Sequence, residues 1–189
     1  MATSTCQTRH MSEVLRHALL ALIAEESRSG YDLARIFDRT LSHAWTASHS
    51  QIYPELARLR AAGLIEQIGS GPRERKPYRV TDRGRDEVRR WLAEEPPART
   101  FRDETVLRAF FLWLLPPGGR REFLHGERDY RVGILEEFER LAEEGRFEGP
   151  VGLSGRIALE FGIRYERMFL EWIDWALARS HELGSPGLA

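Results

Sequence analysis

Cysteine is nearly absent from this chain: Cys6 is the only one in 189 residues. A single thiol excludes an internal disulfide and any cysteine-based metal cluster, and in an N-terminal tail it reads as inert. Lysine is equally scarce. Lys76 is the only lysine among 28 basic residues, which speaks of codon usage rather than of function. No stretch approaches the ~20 apolar residues of a membrane span. Met1 to Met11 lacks the apolar block of a secretory signal. A cytoplasmic protein is therefore expected. Patterns of catalysis are missing too. His10, His17, His43, His49, His125 and His181 are scattered without metal-site spacing, and neither a phosphate loop nor a nucleophile motif occurs. Gly69-Ser70-Gly71 reads as a hairpin turn. Neither an enzyme nor a metal or cofactor is expected.

The chain does carry an uneven distribution of charge. Its net charge is only −1. Yet Arg58 to Arg90 contains ten basic and five acidic residues, a local net of +5. Such a concentration suits a polyanionic partner better than the global sum suggests.

Periodicity organises the same half. Val14, Leu15, Ala18, Leu19, Leu22 and Ile23 form one face of a helix, with Ser12 as its expected N-cap. Leu33, Ile36, Phe37 and Leu41 mark a second helix. After the polar joint at 42–50, Ile52, Leu56 and Leu59 give a third, beginning near Ser48 to Ser50 and closed by Gly63. Pro54 is tolerable there if it falls in the first turn. The period then becomes extended in "LIEQIG" and "PYRVT", two strands joined by the charged turn "SGPRERK". Thr81 caps a further helix containing Val88, Trp91 and Leu92. Pro96 and Pro97 break the chain. The expected division is a flexible tail at 1–11, a winged helix-turn-helix at 12–95 and a helical domain at 96–189. The fold class is mainly α with a small β wing.

In that order of elements the third helix is the one that enters a major groove. With Ile52, Leu56 and Leu59 buried, its opposite face carries Ser50, Pro54 and Arg58, flanked by Gln51 and Tyr53. Ser48 and His49 lie at its N-terminal end. Gln can bond adenine bidentately, Ser suits either base, and Tyr can bond a phosphate. Arg73, Arg75 and Lys76 on the wing offer cations to the DNA backbone or minor groove. The competing reading is a winged helix used for protein contacts alone, which would need no basic wing.

The segments "HALLALIAEESRSGYDLARIF", "SHSQIYPELARLRAAGLIE" and "KPYRVTDRGRDEVRRWL" resemble the PadR family of bacterial transcriptional regulators. The resemblance is strongest over 12–95. The remainder is similar to the helical C-terminal domain of the longer members and of the virulence-activator branch. It implies a homodimer on an inverted-repeat operator in double-stranded DNA, commonly acting as a repressor. It gives Ser48, His49, Gln51 and Tyr53 groove-facing roles and assigns Arg73, Arg75 and Lys76 to the wing. Many relatives have glycine where this chain has Ser50, so their operators do not transfer.

Of 19 aromatic residues, 13 lie in 96–189. Phe123, Tyr130, Ile134, Phe138 and Leu141 mark the apolar side of a long helix. In the last helix Ile157, Phe161, Tyr165, Met168, Trp172 and Trp175 form one stripe, widened by Phe169, Ile173 and Ala176. A stripe this broad is expected to pack against a second subunit. The resemblance also implies a possible sensor of phenolic or drug-like compounds, for which Trp113, Tyr165, Trp172 and Trp175 are the candidate contacts.

Overall fold

No glycine or proline interrupts residues 2–25, and they form one helix, α1 (Ala2–Glu25). Ser12 therefore lies inside a helix rather than at its start, and residues 2–11 are helical where the sequence suggests a tail. The computed structural model describes residues 2–38, 47–69, 76–97 and 103–184, with side chains from Glu13 onward. The chain divides into two compact units, Met1–Ala98 and Arg99–Ala189.

In the first unit α1 is followed by β1 (Arg28–Ser29), α2 (Gly30–Ile36), α3 (His49–Ala61), β2 (Ile65–Gln67), β3 (Pro77–Val80) and α4 (Asp82–Glu94). The sheet has three strands in the order β1-β3-β2, both pairings antiparallel. β1 was not legible in the sequence because two residues show no alternation. It pairs Arg28 with Tyr78 and Ser29 with Pro77. Ser29 then turns the chain into α2 through a capping box with Asp32: Asp32 N–H donates to Ser29 Oγ (3.2 Å) and Ser29 N–H to Asp32 Oδ2 (3.3 Å).

The core of this unit joins Leu15, Leu19, Leu20 and Ile23 of α1 to Leu33 and Phe37, to Ile52, Leu56 and Leu59 of α3, and to Ile65, Val80 and Val88. Removing one such leucine costs about 2–5 kcal/mol. α3 ends in a Schellman arrangement. Gly63 N–H donates to Arg60 O (3.0 Å), Leu64 N–H donates to Leu59 O (3.0 Å), and Gly63 has φ +67°. Thr81 ties the wing to α4. Its N–H donates to Leu64 O (3.0 Å), its hydroxyl lies against Gly63 O and Leu64 O (2.9 and 3.1 Å), and Gly84 N–H donates to Thr81 Oγ (3.2 Å). A Cβ on Gly84 would stand 2.2 Å from Leu64 O, so only glycine lets α4 start this close to β2.

The second unit contains α5 (Glu104–Phe110), a 3₁₀ turn at Leu112–Leu114, α6 (Pro117–Glu144), α7 (Gly149–Arg179) and a closing 3₁₀ turn at Ser180–Leu183. α6 and α7 are the main contact. Their buried faces differ from the apolar sides expected above. α6 buries Arg120, Leu124, Arg131 and Phe138, while Tyr130 is exposed. α7 buries Ile163, Glu166, Phe169 and Ile173. Ile157, Phe161, Met168 and Trp175, four members of the expected stripe, are 50–73% exposed. Phe169 and Ile173, which widened that stripe, are buried within the chain, and Tyr165 and Trp172 of the stripe pack beside them.

Two arginines are buried on α6. Arg120 is fully buried and donates to four backbone carbonyls: Leu112, Trp113, Ser180 and Gly184. Arg131 lies 3.3 Å from both Glu166 oxygens and 3.4 Å from Asp103, over the Phe169 ring at 3.8 Å. Burial works against the Arg131 charge, but the Glu166 carboxylate outweighs it and holds the pKa above its ordinary value. Burial and the Asp103 carboxylate push the Tyr165 phenol up. Among the described residues no helix is long and apolar enough to cross a membrane.

Candidate nucleic-acid interface

α3 combines a fully buried stripe with an exposed opposite side. Ile52, Leu56 and Leu59 are at most 1% exposed. Ser48, His49, Ser50, Gln51, Tyr53, Pro54 and Arg58 are all exposed. The helix starts at His49 with Ser48 as N-cap, so Pro54 is its sixth residue and not part of the first turn. The helix continues through it at the loss of one backbone bond, since Pro54 has no N–H to give to the Ser50 carbonyl.

The N-terminal end of α3 is internally bonded. Ser48 N–H donates to Gln51 Oε1 at 2.9 Å, and the Ser48 hydroxyl donates to the same oxygen at 3.1 Å. Ser50 Oγ is 2.7 Å from Ser48 Oγ. Tyr53 covers the start of α2, where a Cβ on Gly30 would meet its ring at 2.7 Å. His49 lies 4.0 Å from Asp38, with both side chains more than half exposed, and its ring is tilted against Tyr53. Arg58 is held by the buried Glu55 at 2.7 Å. The C-terminal part of the exposed side carries Ala57 and Ala61 beside Arg58 and Arg60.

The wing strands are pinned on both sides. Arg60 of α3 donates to Gln67 of β2 (3.3 Å), and Arg79 pairs with Glu66 across the strands (2.7 Å). Lys76 directly precedes β3 and is exposed. Arg73 and Arg75 lie outside the described residues. Among the described residues of the basic segment, Arg58, Arg79, Arg89 and Arg90 are engaged in ion pairs.

This arrangement matches known proteins over both units. Residues 19–90 match the PadR-like family of transcriptional regulators, and residues 101–180 match the C-terminal domain of the virulence activator alpha family. The negative transcriptional regulator PadR of Bacillus subtilis is 31% identical over 176 residues, covering 87% of this chain and 96% of that protein.

The chain belongs to the PadR-like family of transcriptional regulators.

Bacillus subtilis PadR in complex with operator DNA is similar in structure, with a TM-score of 0.79 and 30% identity over 88% of this chain and 99% of that one. The same protein in complex with p-coumaric acid has a TM-score of 0.76 and 28% identity over 90% of this chain and 97% of that one. The PadR-like fold thus accounts for the wing and for the long helices together.

The four aromatics singled out in the second unit differ in burial. Tyr165 and Trp172 both pack on the core of Leu112, Leu124, Phe169 and Ile173, and Trp172 meets Phe169 edge-on at 5.2 Å. Trp113 and Trp175 are each 54% exposed. Arg179 covers the Trp175 ring at 4.6 Å.

Proposed function

We propose that this chain is a sequence-specific regulator of transcription that binds double-stranded DNA as a homodimer on an inverted repeat, acting as a repressor. Residues 12–95 read the DNA, and residues 96–189 provide the pairing. The observation that carries this reading is α3: a helix fixed on one side to a three-helix core, exposing Ser48, His49, Ser50, Gln51 and Tyr53 at its N-terminal end beside a braced wing. The operator-bound crystal structure of Bacillus subtilis PadR supports it, as does that protein's description as a negative regulator. Pairing through the second unit is supported by the outward stripe of Ile157, Phe161, Met168 and Trp175, which the chain itself leaves exposed.

Fluorescence anisotropy on duplexes from the DNA upstream of the coding region tests the reading. Binding should weaken steeply with salt. Lys76→Ala should lower affinity for every sequence and flatten the slope of log affinity against log salt by about one unit. Affinity indifferent to salt and to the wing would favour a protein-contact role.

A small aromatic effector that releases DNA belongs to the same proposal. Its support is the complex of Bacillus subtilis PadR with p-coumaric acid and the half-buried pair Tyr165 and Trp172 beside Phe169. Titration with p-coumaric acid should change tryptophan fluorescence and weaken operator binding together. A fluorescence change without loss of DNA would leave a ligand site that does not switch.

A further inference from the structure

The sequence suggests that Gln51 reads adenine with both ends of its amide. The hydrogen bonds at the start of α3 do not allow it. Ser48 N–H can only donate, so the Gln51 atom it meets at 2.9 Å must be the carbonyl oxygen Oε1. The Ser48 hydroxyl, 3.1 Å from the same oxygen, must then also donate, because two lone pairs would otherwise face each other. A hydroxyl has one proton. The 2.7 Å contact between Ser48 Oγ and Ser50 Oγ is therefore completed by the Ser50 proton. The chain of donation runs from Ser50 to Ser48 to Gln51.

We infer that this relay fixes the hydrogen-bond polarity of the DNA-reading end: Gln51 meets a base edge as a donor only, and Ser50 as an acceptor only. The inference rests on the DNA-binding reading above. The Gln51 carbonyl serves the helix start, leaving its NH₂ for O6 or N7 of guanine, O4 of thymine or N7 of adenine. Ser50 has spent its proton on Ser48, so its oxygen suits the exocyclic amines, N4 of cytosine or N6 of adenine. Bidentate adenine readout needs the Gln51 carbonyl and is excluded. Ser48 is a positioning residue: it contacts no base in this scheme but decides what Ser50 offers.

Selection from a randomised duplex library with the full chain tests this. Gln51→Glu keeps an oxygen for Ser48 N–H, as a capping box accepts Glu or Gln, but removes the NH₂ donor. It should melt close to the wild type. At one position per half-site its preference should move from guanine, thymine or adenine to cytosine, whose N4 amine donates to a carboxylate, by about fivefold or more in the ratio of affinities for the two bases. Ser48→Ala frees the Ser50 hydroxyl to donate. It should broaden the neighbouring position from cytosine or adenine to all bases, an effect that mere loss of a helix cap would not produce. Ser50→Ala should erase preference at that position. A Gln51→Glu protein that selects the same bases as the wild type overturns the inference and leaves DNA binding intact. So does a wild-type preference for adenine opposite Gln51 that requires both N6 and N7. If the wild type enriches no sequence, the DNA-binding reading itself fails and takes this inference with it.

Discussion

The two units handle apolar surface in opposite ways. The first gathers Leu15, Leu19, Leu20, Ile23, Leu33, Ile52, Leu56 and Leu59, with their neighbours, into one core. Among the described residues its large exposed apolar side chains are Tyr31, Tyr53 and Leu92. The second has a smaller core around Leu112, Leu124, Phe169 and Ile173, while Leu107, Phe110, Trp113, Ile157, Phe161 and Trp175 are each more than half exposed. Charge is distributed in the reverse sense. The second unit buries Arg120 and the pair of Arg131 with Glu166, whereas among the described residues the first buries Glu55 and His17 but no arginine. On the proposed reading, a unit that reads a polyanion needs rigidity behind an exposed polar face, and a unit that pairs with its own copy leaves apolar surface uncovered while buried ion pairs fix how its helices meet.

The comparison breaks first at Arg131. Arg131→Ala leaves Glu166 buried without its guanidinium and should cost about 3–5 kcal/mol, the loss typical of breaking a buried pair by removing one partner. Differential scanning calorimetry should show a lowered transition for the second unit and an unmoved one for the first. A shared downward shift would mean that the units do not unfold independently.

Next comes the exposed stripe. Ile157→Glu combined with Phe161→Glu places charge on a face that is 71–73% exposed in the single chain, so the fold should tolerate it. If that face pairs with a second copy, sedimentation should give a monomer. Operator affinity should then fall by roughly 100-fold or more, because the second half-site is no longer tethered to the first. A double variant that sediments as a dimer would move the pairing surface elsewhere.

How much of this was legible depends on what each residue had to announce. The α3 boundary was, because Ser48, the Ile52-Leu56-Leu59 period and Gly63 are local signals read without tertiary knowledge. The two-residue β1 was not, being defined only by its partners Tyr78 and Pro77. The second unit misled in a systematic way. Apolar periodicity marks residues that avoid water, but it cannot say whether the same chain or another covers them. The stripe from Ile157 to Trp175 was visible, yet Ile157, Phe161, Met168 and Trp175 face outward while Tyr165 and Trp172 pack inward. Arg120 and Arg131 could not be singled out among so many arginines, since on a helical wheel both pass for solvent-facing charge. The site divided the same way: which α3 residues are exposed followed from the period, but the inward turn of the Gln51 carbonyl required the positions of Ser48 and Ser50.

A smaller effect sharpens the view of the first unit as a rigid support. Gly84→Ala would drive a methyl against Leu64 O, a backbone atom that cannot swing aside. Overpacking of this kind costs about 1–3 kcal/mol. Urea unfolding followed by tryptophan fluorescence should show a lower midpoint at unchanged slope for the transition of the first unit. DNA specificity should be unaltered, because the α3 end lies elsewhere in the unit.

The smallest expected effect concerns the join between α1 and α4. His17 is buried and stacked on Trp91 at 4.8 Å; its Nδ1–H donates to Glu13 O (2.8 Å) and its Nε2 lies 3.3 Å from Glu87. Arg90 holds the same carboxylate at 3.1 Å. Burial alone would raise the Glu87 pKa, but the hydrogen bonds from Arg90 and His17 outweigh it and leave the group below its ordinary 4.5. A carboxylate with a depressed folded-state pKa favours the folded protein when ionised. Its contribution is complete above the unfolded value and is lost as pH falls through the lower folded value. Glu87→Gln should therefore be less stable than the wild type at pH 7, by under about 1 kcal/mol for so partly screened a pair. The gap should close below pH 4.5, where the wild-type carboxyl takes up a proton. Unfolding free energies measured from pH 7 to 3 decide it. A gap of constant size across that range would mean that Glu87 acts through its shape and packing against α1, and that its charge contributes nothing to the join.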